Sequence, residues 1–490
     1  MRMRSVGGSL VLAAAALALS AHAAAGQGYR GWTSSNVRYV GMRPVTQESV
    51  ARDLVVEGAD GLTYQGHPVF CLSGASCTYF AALDTEHAFT GSQDVGVTAW
   101  GLGLQGLSFT ALVRARARIG GDFIWPRSDD DFDAMLAYAQ LDRGRLRARL
   151  GRQENLSGLG FRGYDGASVA MEVLPELSVE GYGGRSLVRG LNEPRQEALK
   201  GLVDFFPNRD AWIVGASANV RLDGRTSADL QYQREILDDR SGLLSERASL
   251  DVRTGVFEPV MVTASVDYDV AFDRMGKSHV TASYALPGPP VVVQLTGRRY
   301  VPYFDLSTIW GFFSPVPYHE VIVRGSWSGT AATAWLSGGA RSYGETDTPV
   351  ILSPLESDAW ILEAGGVWPA SERLTVEASY DLRWGVGAFL SSGEATVRFR
   401  PREDLDIAIQ ATSLQQFQEF RVGEGRIWGG GGTVGFIVSD RIRLDGGLSI
   451  FRHADEGRQI QDPWSQLRGW SALRLEFGSE PGTTGRRFRR

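Results

Sequence analysis

The sequence predicts an all-β protein, a single closed antiparallel β-barrel that crosses a membrane with about 20–22 strands, 18 being the alternative count. Three observations lead to this fold class. Segments of about ten residues alternate apolar and polar side chains, tight turns and longer loops follow one another, and aromatic residues stand near the strand ends. Strands of globular proteins usually have about five or six residues, whereas a tilted transmembrane strand needs roughly 9–11.

The clearest alternation lies in residues 211–234, on either side of a tight turn at Asp223 and Gly224. Successive side chains of a strand point to opposite faces, so this hairpin has one apolar face and one polar face. The pattern recurs in residues 260–269, 374–384 and 441–450. A soluble all-β protein such as a propeller would have shorter strands. Its polar faces would also seldom carry so much regularly spaced charge.

The connections between these segments alternate between tight and long. Asp142-Arg143-Gly144, Asp223-Gly224 and Pro287-Gly288-Pro289 are tight, whereas residues 185–210, 300–318 and 342–357 form longer segments. Barrels of the outer membrane have short periplasmic turns and long external loops. Residues 385–388 depart from the pattern, because a short connection stands where a long one is expected. About 21 strands are counted from the hairpin around Gln105-Gly106 to the C-terminus, whereas an even number is expected. Either one further strand comes from the N-terminal segment, near residues 37–45, or one of the 21 strand assignments is wrong.

The ends of the chain divide it into four parts. Arg2 and Arg4, an apolar core at residues 10–19 and the small residues Ala21 and Ala23 predict a signal peptide in residues 1–25. Residues 26–93 are predicted to form a periplasmic or lumen-filling segment, residues 94–478 the barrel, and residues 479–490 a basic tail. The tail ends in Arg486-Arg487-Phe488-Arg489-Arg490.

Cys71 and Cys77 are the two cysteines of the chain. In an exported protein such a close pair most simply forms a local disulfide that closes a small loop. A metal site that adds His67 and His87 is the alternative, although these spacings are long and irregular for a zinc motif. We therefore expect a disulfide and no bound metal.

The polar faces of the strands carry charges that are expected to line the lumen. Two early strands carry a basic wall, namely Arg114, Arg116, Arg118, Arg145, Arg147 and Arg149. Acidic side chains gather later, namely Asp229, Asp251, Asp267, Asp269, Glu377, Asp381 and Asp406. Two facing walls would create a transverse field that orients solutes. The alternative is a ladder of cross-strand ion pairs that keeps the lumen wet and the barrel rigid.

Two of the longer loops have distinctive compositions. Residues 190–210 contain Pro194 followed by residues that favour a short helix, and this loop is predicted to fold inward as a constriction. Residues 300–318 are rich in aromatic side chains, which would stack on sugars, grip a partner protein or pack on themselves over the barrel mouth. These aromatic residues are Tyr303, Phe304, Trp310, Phe312 and Phe313.

The composition argues against several other functions. None of the histidines stands in a recognisable nucleophile motif, so we expect no enzyme and no cofactor. The formal charge is −6, and it becomes −8 without Arg2 and Arg4, so a nucleic-acid partner is not expected. A TonB-dependent importer needs a plug domain of well over a hundred residues, and too few residues precede Asp94 to form one.

Two short segments carry a family resemblance. Leu473, Leu475 and Phe477 end an alternating segment that resembles the terminal strand signal read by the outer-membrane assembly machinery, although the chain continues past it. Gly151-Arg152-Gln153, followed by Asp165-Gly166, resembles a strand and loop that many porins carry in their first third. The resemblance to porins implies an outer-membrane pore without naming its solute.

The expected function is therefore passive diffusion of small polar or charged solutes through a porin-like channel in the outer membrane of a Gram-negative bacterium. Outer-membrane lipid and the assembly machinery are the expected partners, and the oligomeric state is left open. The alternative is a non-conducting barrel that anchors or receives a partner protein or surface component through its aromatic loop and N-terminal segment.

Overall fold

The computed structural model describes residues 28–43, 45–58, 61–71, 75–82, 84–101, 103–120, 131–187, 210–237, 242–301, 317–344, 358–385, 388–417, 424–455 and 465–479. These residues form 27 strands and one short 3-10 turn at Arg52–Leu54. The strands are β1 (Gly28–Met42), β2 (Val45–Ala51), β3 (Val56–Gly58), β4 (Gly61–Tyr64), β5 (His67–Phe70), β6 (Ser76–Ala82), β7 (Glu86–Trp100), β8 (Leu107–Gly120), β9 (Asp131–Arg143), β10 (Leu146–Ser157), β11 (Gly160–Leu174), β12 (Leu177–Leu187), β13 (Asp210–Arg221), β14 (Ser227–Leu237), β15 (Leu243–Phe257), β16 (Val260–Asp269), β17 (Arg274–Ala285), β18 (Val291–Tyr300), β19 (Tyr318–Ser328), β20 (Thr333–Tyr343), β21 (Asp358–Ser371), β22 (Leu374–Gly385), β23 (Ala388–Arg402), β24 (Leu405–Phe417), β25 (Glu424–Ser439), β26 (Ile442–Asp455) and β27 (Ser465–Gly478).

Twenty-two of these strands form one closed antiparallel barrel. β7 to β27 pair in chain order, and β1 closes the ring by pairing with both β27 and β7. The structure confirms the predicted fold class and lies within the predicted count of 20–22. The even number is reached through β1, which comes from the N-terminal segment and overlaps the range 37–45 that was one of the two alternatives.

The two edges of the barrel differ in their connections. At the edge where β1 begins and β27 ends, here called the turn edge, the strands are joined by tight connections such as residues 144–145 and 258–259. At the opposite edge, the loop edge, the segments between strands include residues 188–209 and 301–317. This alternation is the one predicted from the sequence. It places the loop edge on the external side of the membrane.

Alternation along each strand separates a lipid-facing surface from a lumen. On β13, Trp212 and Val214 are 53% and 52% exposed on the outside, whereas Ile213 between them is 2% exposed on the inside. On β14, Leu230 is 54% exposed outside and Gln233 is 1% exposed inside. Large apolar side chains left open around a closed sheet are stable only in contact with lipid or another apolar surface.

Outward aromatic side chains form two belts. Trp212, Tyr268, Trp360 and Trp384 stand near the loop edge, and Tyr284, Trp327 and Trp368 stand near the turn edge. Trp360 and Trp368 are both on β21, about 26 Å apart at about 3.3 Å per residue. At a strand tilt of about 40° this span covers roughly 20 Å, close to the apolar band of about 25 Å in outer-membrane barrels. No helix among the described residues is long and apolar enough to cross a membrane.

The segment between β1 and β7 forms a separate small sheet of five strands in the order β2, β6, β5, β4 and β3. Val50, Val69, Cys77 and Tyr79 form its core. Cys71 and Cys77 form the predicted disulfide. Tyr79 donates a hydrogen bond to Glu48, and this bond raises the pKa of the tyrosine.

This arrangement corrects the predicted boundary at residue 93. The barrel begins with β1 at Gly28, and β7 begins at Glu86, so β1 and the first half of β7 lie inside the predicted N-terminal segment. The small sheet is inserted at the loop edge, which is the external side rather than the periplasmic one. The physical reason is register: Gly28–Met42 matches β27 and β7 in length and pattern, and it fills the gap between them.

The β13–β14 connection shows how side chains close a turn. The Asp223 carboxylate accepts hydrogen bonds from the backbone N–H groups of Arg225 and Thr226, at 2.8 and 2.5 Å. These bonds, led by the one from Arg225, hold the pKa of Asp223 below its usual value. Asx turns of this kind are why Asp followed by Gly predicted a hairpin here.

Replacing residues 44–83 by an Asn-Gly turn is expected to leave the barrel intact. Met42 and Glu86 are already register partners. Arg43, the Asn-Gly pair, Asp84 and Thr85 then form a five-residue hairpin loop that joins β1 to β7. The small sheet has its own core, so its removal is expected to change single-channel conductance by less than about two-fold. Heat-dependent gel mobility reports the folded barrel, and bilayer recordings report conductance. A several-fold rise in conductance would show instead that the small sheet fills the lumen.

Candidate functional site

The inner wall of the barrel is polar and is crossed by ion pairs. Most pairs join neighbouring strands or residues two apart on one strand, where inward side chains meet. They include Arg114–Asp94 (2.6 Å), Arg116–Asp133 (2.7 Å), Arg147–Asp142 (2.9 Å), Arg247–Asp267, Arg341–Glu320 (2.5 Å), Arg383–Asp381 (3.0 Å) and Arg443–Asp445 (2.8 Å).

Most of the predicted basic wall lies on inward positions of β8 and β10. Arg114, Arg116 and Arg118 alternate along β8, and Arg147 and Arg149 follow on β10. Arg149 donates to the side-chain oxygen of Gln140 at 2.7 Å, and its guanidinium carbon lies 5.4 Å from the centre of the Tyr138 ring.

One member of the predicted basic wall lies elsewhere. Arg145 belongs to the tight connection between β9 and β10, because β10 starts only at Leu146. The apolar and polar alternation of β10 continues in the sequence one residue before the strand begins. Arg145 therefore fits the pattern but lies in a turn, where side chains do not alternate across a sheet. Arg145 is therefore at the turn edge rather than on the lumen wall.

The predicted acidic residues occupy inward positions on β14, β15, β16, β22 and β24. Asp229 and Asp251 are register partners, and Asn219 donates to Asp229 at 2.6 Å. Asp269 lies 3.6 Å from Arg274. Asp267 pairs with Arg247, and Asp381 pairs with Arg383. Asp406 lies 2.7 Å from Arg400, and Glu377 is exposed.

Basic and acidic side chains are thus interleaved around the same wall. Each of the pairs named above is formed within a strand or between adjacent strands, so its field is largely local. This geometry is the ladder of ion pairs that the sequence left open as the alternative to two facing walls.

A constriction is formed by the hairpin of β10 and β11, whose tip folds into the lumen. Arg247 on β15 donates to the backbone oxygen of Leu159 in the tip, at 3.0 Å. Arg162 on β11 lies 3.4 Å from Glu235 on β14. β14 and β15 are three and four strands beyond β11, so the tip crosses the inner faces of the intervening strands.

Close packing fixes the tip against β15. A Cβ atom at Gly158 would lie 2.5 Å from the Asp251 carboxylate and 2.7 Å from the Ser249 hydroxyl. Leu159 is 4% exposed although it occupies a turn. The absence of a side chain at Gly158 lets the backbone of the tip lie close to these two side chains.

The polar side chains beneath the hairpin are buried and hydrogen-bonded. Gln153 is 2% exposed and accepts a bond from Ser168 at 2.9 Å. Tyr182 donates to Gln233 at 3.3 Å, and the rings of Tyr164 and Tyr182 stack with 5.3 Å between centres. Buried polar groups with partners stiffen a structure, so these bonds hold the hairpin rigidly against this side of the wall.

The sequence did not predict this constriction. It assigned the inward loop to residues 190–210, of which 190–209 lie outside the described residues. Signals were nevertheless present: two glycines flank Leu159, and the apolar Ile213 interrupts the polar face of its strand. Both features are explained by the inward hairpin: the glycines allow its tip to pack closely, and the hairpin covers the inner face on which Ile213 lies.

Three tyrosines form an inward ladder close to the loop edge. Tyr300 and Tyr318 are register partners with ring centres 5.2 Å apart, and Tyr343 follows on the next strand. The guanidinium carbon of Arg341 lies 3.9 Å from the centre of the Tyr318 ring, and the Lys277 ammonium lies 5.5 Å from that of Tyr300. The aromatic residues predicted at 303, 304, 310, 312 and 313 lie outside the described residues.

The terminal strand presents its signal-like residues to the outside. Leu473, Leu475 and Phe477 alternate on β27, and Leu473 is 37% exposed. Phe477 packs beside Gly31 of β1, where a Cβ atom would lie 2.4 Å from its ring. The last strand therefore fits the first one closely at the seam.

The alternative metal site is not formed in the described part of the chain. The sulfur atoms of Cys71 and Cys77 are bonded to each other, and His87 pairs with the Tyr39 hydroxyl at 2.8 Å. Among the described residues, no group of three or more His, Cys, Asp and Glu side chains is arranged to hold a metal ion.

Comparison with known proteins supports the fold. No protein-family model and no curated protein sequence matches the chain. The solved structure of the siderophore receptor PirA from Pseudomonas aeruginosa is similar over 91% of this chain and 80% of its own, with a TM-score of 0.53 and 11% identity. Similarities with TM-scores of 0.41 and 0.39, each at 9% identity, are found to OccK2 (OpdF) from Pseudomonas aeruginosa and to a BenF-like porin from Pseudomonas fluorescens Pf-5. Both similarities extend over 92% of this chain; they extend over 100% of the OccK2 chain and 99% of the BenF-like porin chain.

At these identities the similarity concerns the fold, and the argument rests on PirA, whose TM-score exceeds 0.5. The shared feature is a large closed barrel. Together with the apolar band and its two aromatic belts, this fold makes the chain a β-barrel protein of the bacterial outer membrane, with its family within that fold unresolved.

Proposed function

We propose that the protein is a porin-like channel through which small polar or charged solutes diffuse passively across the outer membrane. The observation that carries this proposal is a closed barrel with a charged, hydrated inner wall. Inward guanidinium groups remain half exposed, with 55% of the Arg147 side chain, 52% of Arg298 and 51% of Arg398 accessible. Charges of this kind need water around them, so the lumen beside the constriction holds an aqueous path.

The proposal is tested by purifying the folded barrel and recording single-channel currents in planar bilayers. Stable, uniform steps are the expected result, because water and ions reach the inner wall. Barrels of 22 strands usually have a plugged lumen.

Reversing two charges on the inner wall is expected to change ion selectivity. In the Arg147→Glu, Arg149→Glu variant, the ratio of cation to anion permeability should rise by at least about two-fold, because local field sets ion preference in a wide pore. The reversal potential in a salt gradient measures this ratio. Arg225→Glu is the matched control, since Arg225 lies in the β13–β14 connection and is 59% exposed. Equal shifts in the two variants would contradict a lumen position for Arg147 and Arg149.

A second function is favoured by one specific observation. The small sheet and its 3-10 turn expose Leu54, Val56 and Phe70, at 55%, 64% and 46%, outside the membrane band. A barrel that receives a partner protein or a surface component at its external face would use such a surface. A correctly folded barrel that never conducts would make this the leading function.

Delivery to the membrane belongs to the same proposal. The outward alternation of Leu473, Leu475 and Phe477 on the last strand supports recognition by the outer-membrane assembly machinery. Phe477→Ala is expected to lower the amount of folded barrel in outer-membrane fractions.

A further inference from the structure

The barrel seam places an apolar row on the inner wall. Four adjacent strands, β1, β7, β8 and β9, contribute register partners to this row: Trp32, Gly96, Leu112 and Leu136. The fifth strand, β27, places the charged Glu476 beside Trp32 at the end of the row. All five positions face the lumen, because they alternate with lipid-facing neighbours such as Val95 and Val113. An apolar surface in a wet lumen is a preferred place for the apolar part of a solute.

Trp32 is held in place by its neighbours. A Cβ atom at residue 96 would lie 2.5 Å from the Trp32 indole nitrogen, so the absence of a side chain at Gly96 lets the ring lie against the backbone of β7. The Arg474 guanidinium carbon lies 5.1 Å from the centre of the indole ring. The ring is therefore a preformed wall with little conformational entropy left to lose on binding.

A cavity of about 220 Å³ opens over this row. A volume of this size admits a small organic molecule rather than a single water. The side chains that line it, apart from those of the apolar row, include Arg30, Thr98, Thr110 and Arg474. Thr98 and Thr110 share a hydrogen bond of 3.2 Å, so their hydroxyl groups stand side by side along one margin.

The charged groups of the cavity leave one positive charge uncompensated. Arg474 and Glu476 form an ion pair at 3.4 Å. In the neighbouring row Arg114 and Asp94 are paired through two hydrogen bonds, at 2.6 and 3.0 Å. Among the described residues Arg30 makes no ion pair, although its register partner Thr98 also lines the cavity. The cavity thus combines an apolar floor with a guanidinium group at its margin.

We propose that this cavity is a binding site for a small organic monoanion with an apolar body. The carboxylate pairs with Arg30, and the apolar body lies over Trp32, Leu112 and Leu136. Arginine suits this role because its planar fork matches a carboxylate. The inference rests on the proposed channel function in one respect, namely that such an anion reaches the site by way of the lumen.

Isothermal titration calorimetry on the folded barrel in detergent tests the site without requiring conduction. Three probes separate charge from apolar body: 4-methylpentanoate, its neutral amide and acetate. The expected result is that 4-methylpentanoate binds at least ten-fold more tightly than either of the others, after subtraction of empty micelles. Equal binding of all three, or no binding, would overturn the proposal.

Two variants assign the contributions. Arg30→Gln is expected to weaken 4-methylpentanoate binding about ten-fold and to bring it close to that of the amide, while Trp32→Ala weakens both probes. Arg38→Gln is the matched control, because Arg38 is also an exposed inward arginine of β1 but lies outside the cavity. Heat-dependent gel mobility verifies that each variant is folded.

Conductance separates the two proposals. A barrel that conducts without binding 4-methylpentanoate would keep the channel function and refute the site. A barrel that binds the anion without conducting would keep the site and refute the channel.

Discussion

A chain that lacks residues 28–42 is expected not to form a barrel. The deletion removes β1, which pairs with β27 on one side along 13 register positions and with β7 on the other side along 15. Twenty-one strands would remain, and the edges of β7 and β27 would be left without partners. Unpaired backbone groups in lipid cost several kcal/mol each, so an open sheet cannot stay in the membrane.

The measurement is the heat-dependent mobility shift after refolding into lipid vesicles, with tryptophan fluorescence as a second readout. The replacement of residues 44–83 by a turn is the matched control, because it removes more residues and keeps all 22 barrel strands. If the chain without residues 28–42 folds as completely as this control, β1 is not an essential strand of the barrel.

Arg247→Met is expected to lower the free energy of unfolding by about 3–5 kcal/mol, because it leaves the buried Asp267 carboxylate without its partner. The Arg247 and Asp267 side chains are 7% and 8% exposed. The substitution also removes the hydrogen bond that ties Arg247 to the backbone of Leu159. The tip of the inward hairpin should then loosen, and single-channel conductance should rise.

Denaturant titration in vesicles measures the first effect, and bilayer recording measures the second. Arg225→Met is the control, since Arg225 and its partner Glu258 are 59% and 78% exposed and such surface pairs contribute about 0–1 kcal/mol. The Arg247→Met, Asp267→Leu double variant should recover much of the lost stability, because an apolar pair has no charge to desolvate. A loss in Arg247→Met no larger than that of the control would show that the buried pair does not hold the hairpin.

Much of the architecture followed from local pattern. The period of two along residues 211–234 separated lipid-facing from lumen-facing side chains, and Asp223-Gly224 located a turn that the structure contains. The close spacing of Cys71 and Cys77 predicted their bond. These features depend on residues that are close together in the chain, so they can be predicted from the sequence alone.

The errors have a common cause. β1 was assigned to a separate N-terminal segment, because its pairing partners are β7, which lies beyond the whole small sheet, and β27, at the other end of the chain. Arg145 was placed on a strand, because alternation does not state where a strand ends. The inward hairpin of β10 and β11 went unpredicted, because its turn is short and its contacts are with strands far along the chain. The inward fold predicted for residues 190–210 stays a prediction, because residues 190–209 lie outside the described residues.

The sequence by itself determined the fold class, the two faces of each strand and the order of turns and loops, since side-chain alternation and turn chemistry are local properties. The tertiary structure alone decided which strand closes the ring, which hairpin enters the lumen and which charges meet. Those outcomes depend on contacts such as Arg247 with Leu159 and Trp32 with Gly96, formed between residues 88 and 64 positions apart. Register and closure bring such residues together only when the whole barrel has formed.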